Sequence, residues 1–239
     1  MKYYSIRHSL NKKETGNYQQ VEEAQHNCNV WDDPLFIDYD QNFFKKLDFS
    51  PITSNAILKK GSKLTDFISA PIMGFTKKLL VSGKLKQILE SSRKSGMQFF
   101  KSPVYYKNKL INDYWVLNMY EINMDMIDFK KSVIFKTNYF DNLMELDVKN
   151  VFEFKKYKEE IEKEGYPNGI SIEKIKIRAD KIMDFFALLD VEGGVKYMVS
   201  EKLKKEIETA QCTGIEFMPI GISLNEWLTT EREKIYGKA

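Results

Sequence analysis

One stretch of this chain occurs twice, 118 residues apart. Residues 63–99 align without a gap with residues 181–217, and 12 of the 37 aligned positions are identical. The aligned pairs also preserve physical roles, which chance matches between common residues would not do. The two stretches are therefore expected to fold in the same way, and this constrains the fold more than any other feature of the sequence.

Within each copy, the matched residues predict a strand, a turn, a second strand, a helix and a third strand. Ser82 and Ser200 stand where the helix would begin, and a serine hydroxyl can accept a hydrogen bond from a free N–H of the first turn. Apolar residues four apart then form one stripe, a glycine is expected to end the helix, and apolar alternation predicts the last strand. The residues in these roles are Leu85, Leu89, Gly96, Met97 and Phe99 in the first copy, and Leu203, Ile207, Gly214, Ile215 and Phe217 in the second.

The remaining segments fit the same class of fold. Residues 104–106 and 114–120 predict a hairpin whose turn is formed by residues 107–113. Asn150 and Glu153 match a capping box and predict a helix that ends at Gly165. The prediction is an α+β fold with a largely antiparallel sheet and packed helices, built from the two similar strand-turn-strand-helix-strand units. Residues 63–239 would form the main domain, and residues 1–62 an N-terminal segment wrapped on it.

Composition and charge exclude several classes of protein. The 37 basic and 34 acidic residues give a net charge of +3, and the lysine pairs are spread along the chain, which does not favour a dedicated nucleic-acid binder. The two cysteines, Cys28 and Cys212, cannot provide a disulfide framework or a zinc site. No apolar run approaches the roughly 20 residues of a membrane span. These features predict a soluble cytoplasmic protein that needs no membrane.

Motifs for catalysis are lacking in the sequence. It contains no phosphate-binding glycine loop and no G-x-S-x-G elbow, so we predict no enzyme activity, no metal and no cofactor. One enzymatic alternative stays open, because N-terminal acids, or a cysteine with a histidine, could meet in space. That alternative requires a concave pocket that holds the groups concerned, which are Asp32, Asp33, Asp38, Asp40, His8, His26, Cys28 and Cys212.

An aromatic and acidic segment is the best candidate for a contact with another protein. We call residues 31–40 the aromatic–acidic segment, and its candidate contact residues are Trp31, Asp32, Asp33, Phe36, Tyr39 and Asp40. Aromatic side chains beside charges in an irregular stretch are typical of protein interfaces. The alternative is that the aromatic residues are buried against the sheet. A nucleic-acid-binding module is a further alternative, because residues 43–46 and 105–109 combine aromatic residues with lysines.

The repeated units and the tyrosine-rich block between them resemble the immunity-protein family of bacterial polymorphic-toxin systems. The residues that carry this resemblance lie in residues 63–220, and the first 60 residues do not clearly match. It implies a protein that binds and neutralises a cognate protein toxin by occluding its active site, and it carries over no catalytic residues. The matching positions are Ser82, Leu85, Gly96, Phe99, Tyr105, Tyr106, residues 114–118, Asp125 or Asp128, Ser132, Val199, Ser200, Leu203, Gly214, Phe217 and Pro219.

Overall fold

A computed structural model of the chain describes residues 1–75, 77–139 and 141–238. Its strands are β1 (Tyr3–His8), β2 (Val21–Gln25), β3 (Asn55–Leu58), β4 (Phe67–Ile68), β5 (Leu79–Ser82), β6 (Met97–Lys101), β7 (Val104–Tyr106), β8 (Lys109–Ile111), β9 (Tyr114–Met119), β10 (Val133–Asn138), β11 (Asp141–Glu145), β12 (Asn168–Lys174), β13 (Phe185–Val191), β14 (Gly194–Ser200) and β15 (Ile215–Pro219). Its α-helices are α1 (Lys12–Thr15), α2 (Gly83–Ser92), α3 (Val151–Lys163), α4 (Glu201–Thr209), α5 (Leu224–Glu226) and α6 (Arg232–Tyr236).

The described strands form three sheets, in which most neighbours are antiparallel. The largest has seven strands in the order β11-β10-β12-β13-β14-β1-β15, and the two smaller sheets have the orders β2-β3-β7-β8 and β4-β5-β9-β6. The parallel neighbours are β12 with β13 and β3 with β7. The predicted α+β class with a largely antiparallel sheet is therefore confirmed.

The seven-stranded sheet is buried on both faces at β13, which explains why this strand is apolar at consecutive positions. Phe185 and Ala187 belong to a core cluster that also contains the apolar stripes of α2 and α4. Phe186 and Leu188 belong to a second cluster, on the side of α3. Because successive side chains of a strand point to opposite faces, the sequence "FFAL" supplies both clusters at once.

Some matched positions of the two repeated segments make the same contacts. Phe67 pairs with Val81 in the first segment, and the residues 118 positions later, Phe185 and Val199, pair in the second. The helix-starting serines behave alike. Ser82 Oγ accepts a hydrogen bond from Leu85 N at 3.3 Å, and Ser200 Oγ accepts one from Leu203 N at 3.1 Å.

The strand that completes each unit comes from a different place in the chain. In the first unit, β9 lies between β5 and β6 and follows them in sequence. In the second unit, β1 occupies the corresponding position between β14 and β15, although it begins at residue 3. The N-terminal residues therefore contribute an inner strand to the largest sheet, next to its edge strand β15. The division of the chain at residue 62 stays a prediction, and it does not follow a boundary between sheets.

Two local predictions were wrong. The expected hairpin between residues 104–106 and 114–120 does not form, because β7 pairs with β8 while β9 lies between β5 and β6. Gly96 and Gly214 are not C-caps, since α2 ends at Ser92 and α4 at Thr209. They have φ values of +86° and +79° and lie just before β6 and β15. A Cβ atom at Gly214 would overlap the carbonyl oxygen of Phe67.

The predicted helix after Asn150 is confirmed. Asn150 Oδ1 accepts hydrogen bonds from Phe152 N at 3.0 Å and Glu153 N at 2.9 Å, and Glu153 Oε2 accepts one from Lys149 N at 2.8 Å. These contacts satisfy free N–H groups around the start of the helix, as a capping box does.

Candidate functional site

The aromatic–acidic segment lines a cavity of about 540 Å³. The opposite wall is formed by residues 71–74 and Lys77, which precede β5. We call this space the Trp31 cavity. The residues of the aromatic–acidic segment that line it are Trp31, Phe36, Asp38, Tyr39 and Asp40.

Backbone and side-chain hydrogen bonds hold the segment against Ile52, which precedes β3, and against the nearby Asn42. Ile37 N donates to Ile52 O at 2.9 Å, and Ile52 N donates to Leu35 O at 2.8 Å. The buried Asn42 amide donates from Nδ2 to the carbonyl oxygens of Pro34 and Phe36, each at 2.9 Å. A segment without regular secondary structure is thus fixed in position, because its polar groups have protein partners.

The three aromatic residues of the segment differ in burial. Phe36 is 3% exposed and belongs to a third core cluster, where its ring lies 6.3 Å from that of Phe75. Tyr39 is half-buried against the same cluster. Trp31 is 84% exposed. Phe36 therefore supports the cavity wall, and Trp31 is the side chain that projects from the segment.

A buried carboxylate lies in the wall of the cavity. The side chain of Asp38 is 4% exposed, and its Oδ1 atom lies 3.5 Å from Lys78 Nζ, whose side chain is 3% exposed. Lys78 Nζ also donates to Asn118 Oδ1 at 3.1 Å. Burial raises the pKa of Asp38 to about 6, although the neighbouring ammonium groups of Lys78 and Lys77 act to lower it. Burial lowers the pKa of Lys78, which Asp38 opposes.

Asp38 Oδ1 forms no hydrogen bond with the residues that the structure describes, although it is buried. A carboxylate oxygen removed from water without a donor is unfavourable, and such groups in native proteins usually have a partner. Asp38 is therefore a buried carboxylate of the cavity wall whose Oδ1 atom has an ion-pair partner, Lys78, at 3.5 Å but no short hydrogen bond within the described part of the chain.

An ammonium group already lies on an aromatic ring at the cavity. Lys77 Nζ is 3.4 Å from the centre of the Phe43 ring, and both residues line the cavity. Cations are attracted to the faces of aromatic rings. The wall thus combines aromatic faces with the carboxylates of Asp38 and Asp40, and the latter is exposed.

The remaining two predicted contact residues lie outside the cavity lining. Asp32 is exposed and accepts a hydrogen bond from Asn29 Nδ2 at 2.7 Å. Asp33 Oδ1 accepts one from Leu35 N at 2.9 Å and so stabilises the turn that precedes Phe36. The sequence pattern did not single out Lys77, Lys78 or Phe43 as partners of the segment, because the first two are separated from it by more than thirty residues.

The cavity brings together only some of the groups considered for the enzymatic alternative. Asp38, Asp40 and His26 line it. Its lining contains neither Asp32 nor Asp33 and neither cysteine. Burial raises the pKa of the Cys212 thiol to about 11 and also raises that of Cys28, which disfavours the reactive thiolate. Within the described residues, no group of three or more histidines, cysteines and acids is placed to hold a metal ion.

The basic and aromatic residues considered for nucleic-acid binding lie at separate places. Tyr105, Tyr106 and Lys107 line a groove of about 890 Å³, whereas Phe43 lines the Trp31 cavity. Glu22 and Glu23 line the same groove as the tyrosines, together with Lys59, Lys60 and Lys107, so its wall carries charges of both signs. Over the described ranges, no helix has the length and apolar character to span a bilayer.

The chain is an α+β protein in which an exposed tryptophan lies beside a cavity lined by the carboxylates of Asp38 and Asp40 and by Lys77. A family model described as Immunity protein family (Imm11) matches residues 2–221 of the 239-residue chain, and the chain therefore belongs to this immunity protein family. The expected limit of the resemblance, residues 63–220, was too narrow, since the match includes β1 and the aromatic–acidic segment. A search of curated proteins found no significant match.

Proposed function

We propose that this protein binds a cognate protein toxin through the Trp31 cavity and its rim, and that it neutralises the toxin by covering the toxin's active site. Membership of an immunity protein family supports a toxin as the partner. The observation that carries the choice of surface is Trp31, a large aromatic side chain that is 84% exposed beside a cavity. We expect the protein to act in the cytoplasm as part of a polymorphic-toxin system, without enzyme activity.

Several features of this surface match those of strong protein interfaces. Tryptophan is enriched among the residues that contribute most to binding. Ile72 also lines the cavity and is 43% exposed, so it extends the apolar area. Asp40 supplies charge at the cavity, and complementary charges increase association rate and specificity. An interface of standard size buries about 1,600 Å² in total, which would extend well beyond the cavity.

Co-expression with the toxin encoded beside this protein tests the proposal. We expect the protein to restore growth to cells that produce the toxin, and the two chains to elute together from a sizing column. A catalytically inactive toxin is used for the sizing experiment so that enough material can be prepared. If growth is not restored and the two chains elute separately, the proposal is wrong.

A further inference from the structure

We propose that the Trp31 cavity receives an arginine or lysine side chain of the partner protein, and that the charged group of this side chain pairs with Asp38. This inference rests on the proposed function. It adds the chemistry of the group that the toxin presents to this surface.

The first support is the unsatisfied carboxylate. Asp38 lines the cavity, its side chain is 4% exposed, and its Oδ1 atom has no hydrogen-bond donor among the described residues. The nearest cation, Lys78 Nζ, forms an ion pair with this atom at 3.5 Å and also donates to Asn118 Oδ1 at the shorter distance of 3.1 Å. A cationic side chain entering the cavity would bring donors to a carboxylate that lacks one, and hydrogen bonds between charged groups are the stronger kind.

The second support is the charge of the surrounding chain. Residues 14–44 contain seven acidic residues and no lysine or arginine, although the whole chain has a net charge of +3. These acids are Glu14, Glu22, Glu23, Asp32, Asp33, Asp38 and Asp40. Asp38 and Asp40 line the cavity together with Lys77, whereas Glu22 and Glu23 line a different groove. An acidic stretch on a weakly basic protein attracts a basic partner and would repel an anionic one.

The third support is the aromatic lining. Trp31, Tyr39 and Phe43 line the cavity with the two carboxylates. Lys77 Nζ lies 3.4 Å from the centre of the Phe43 ring. An aromatic ring of this wall is thus already in contact with a cationic group of the protein. A guanidinium group can stack on an aromatic face while it donates in its plane to a carboxylate. The combination therefore fits arginine best.

The wild-type protein tests the chemistry without any toxin. Arginine amide is titrated into protein labelled with ¹⁵N at the tryptophan indoles, and citrulline amide, which has a similar shape but no charge, is the control ligand. The chain has three tryptophans, and a Trp31→Phe variant assigns the signal of Trp31. We expect this signal to shift saturably with arginine amide and not with citrulline amide. Equal responses, or none with arginine amide, would overturn the inference.

Asp38→Asn then tests whether the toxin uses the cavity in this way. Because the loss of one partner of a buried charged pair is costly, we expect toxin affinity to fall by about 100-fold. Asp48→Asn is the matched control, since Asp48 is exposed and does not line the cavity. It should leave the affinity unchanged.

A second variant guards against misfolding. Asp38→Asn leaves Lys78 buried without its carboxylate, so Asp38→Asn combined with Lys78→Met is prepared as well, and it should bind toxin as weakly as the single variant. If a folded variant without the Asp38 carboxylate binds toxin with undiminished affinity, the inference is wrong and the proposed function stands. If the wild-type protein forms no toxin complex, the proposed function itself fails, whatever the result with arginine amide.

Discussion

At the scale of single residues, Asp38 is a buried carboxylate that a cationic group of a partner would stabilise. Its neighbours of both charges are Lys78, Lys77 and Asp40, and its charge also raises the pKa of the buried Tyr197 phenol. Burial is the largest influence on Asp38 and raises its pKa to about 6. The favourable contacts of the ionised form with Lys78 and Lys77 therefore do not offset its burial in the free protein, and an added cation would stabilise it further.

This arrangement predicts that cation binding depends on pH. The folded protein protonates Asp38 below about pH 6, and only the ionised carboxylate attracts a cation. At pH 5 roughly one-tenth of the group is ionised, so the affinity for arginine amide should be about tenfold weaker than at pH 7.5. Titrations at the two pH values measure this, with Asp38→Asn as the control that removes the difference. An affinity that is unchanged or rises at pH 5 would contradict the assignment.

The raised pKa of Asp38 also makes the stability of the folded protein depend on pH. Because the pKa of Asp38 is raised in the folded state, the folded chain binds more protons through this group than the unfolded chain does, between about pH 4 and pH 6. The contribution of Asp38 to the free energy of unfolding therefore falls as pH rises through this range. The protein retains a group that lowers its stability at neutral pH, which is expected of a binding residue.

At the scale of elements, α2 and α4 begin with the same arrangement of side chains. Ser82 Oγ donates to Asp66 Oδ1 at 2.6 Å, and Ser200 Oγ donates to Asp184 Oδ1 at 2.5 Å. Each serine thus joins a helix start to a carboxylate that precedes the first strand of its unit. The two caps have the same partners at matched positions.

We expect Ser82→Ala and Ser200→Ala to destabilise the protein to a similar extent, by about 1 kcal/mol each, because each removes a helix cap. The loss of the hydrogen bond to the aspartate can add to this cost. Ser91→Ala is the control. Ser91 is exposed in α2 and donates only to Gln87 O within that helix, so its effect should be within about 0.5 kcal/mol. Urea unfolding measures all three, and clearly unequal losses at Ser82 and Ser200 would contradict the equivalence.

The sequence was sufficient to predict these elements but not how they assemble. The helix starts at Ser82, Asn150 and Ser200 follow from local patterns, because a cap and an apolar stripe involve residues within a few positions of each other. The place of β9 depends on pairing with distant strands, which local patterns do not encode. The aromatic–acidic segment could likewise be named as a candidate from its local composition. The ion pair of Asp38 with Lys78 joins residues forty positions apart, so the sequence did not indicate it.

At the scale of the whole molecule, the first strand, β1, pairs with the last two strands of the chain, β14 and β15. It lies between β14 and β15, with Ser5 opposite both Met198 and Met218. Tyr3 and Ile6 contribute to core clusters on opposite faces of the sheet. The second unit therefore requires residues from the start of the chain, whereas β9 completes the first unit from within.

Deletion of residues 1–8 should abolish cooperative unfolding, because it removes an inner strand and leaves β14 and β15 without their shared neighbour. Circular dichroism during heating measures this, together with the binding of a dye that reports exposed apolar surface. If the shortened chain unfolds cooperatively at the temperature of the full chain, the role assigned to β1 is wrong.

The central claim is that the surface around Trp31 binds the toxin, and calorimetric titration with an inactive toxin tests it most directly. Trp31→Ala should weaken the complex by about 30-fold or more, as expected for a tryptophan at the centre of an interface. Phe152→Ala is the matched control, because Phe152 is also an exposed aromatic residue, at 76%, and does not line the cavity. It should bind as the wild type does. Unchanged affinity in a folded Trp31→Ala variant would contradict the account.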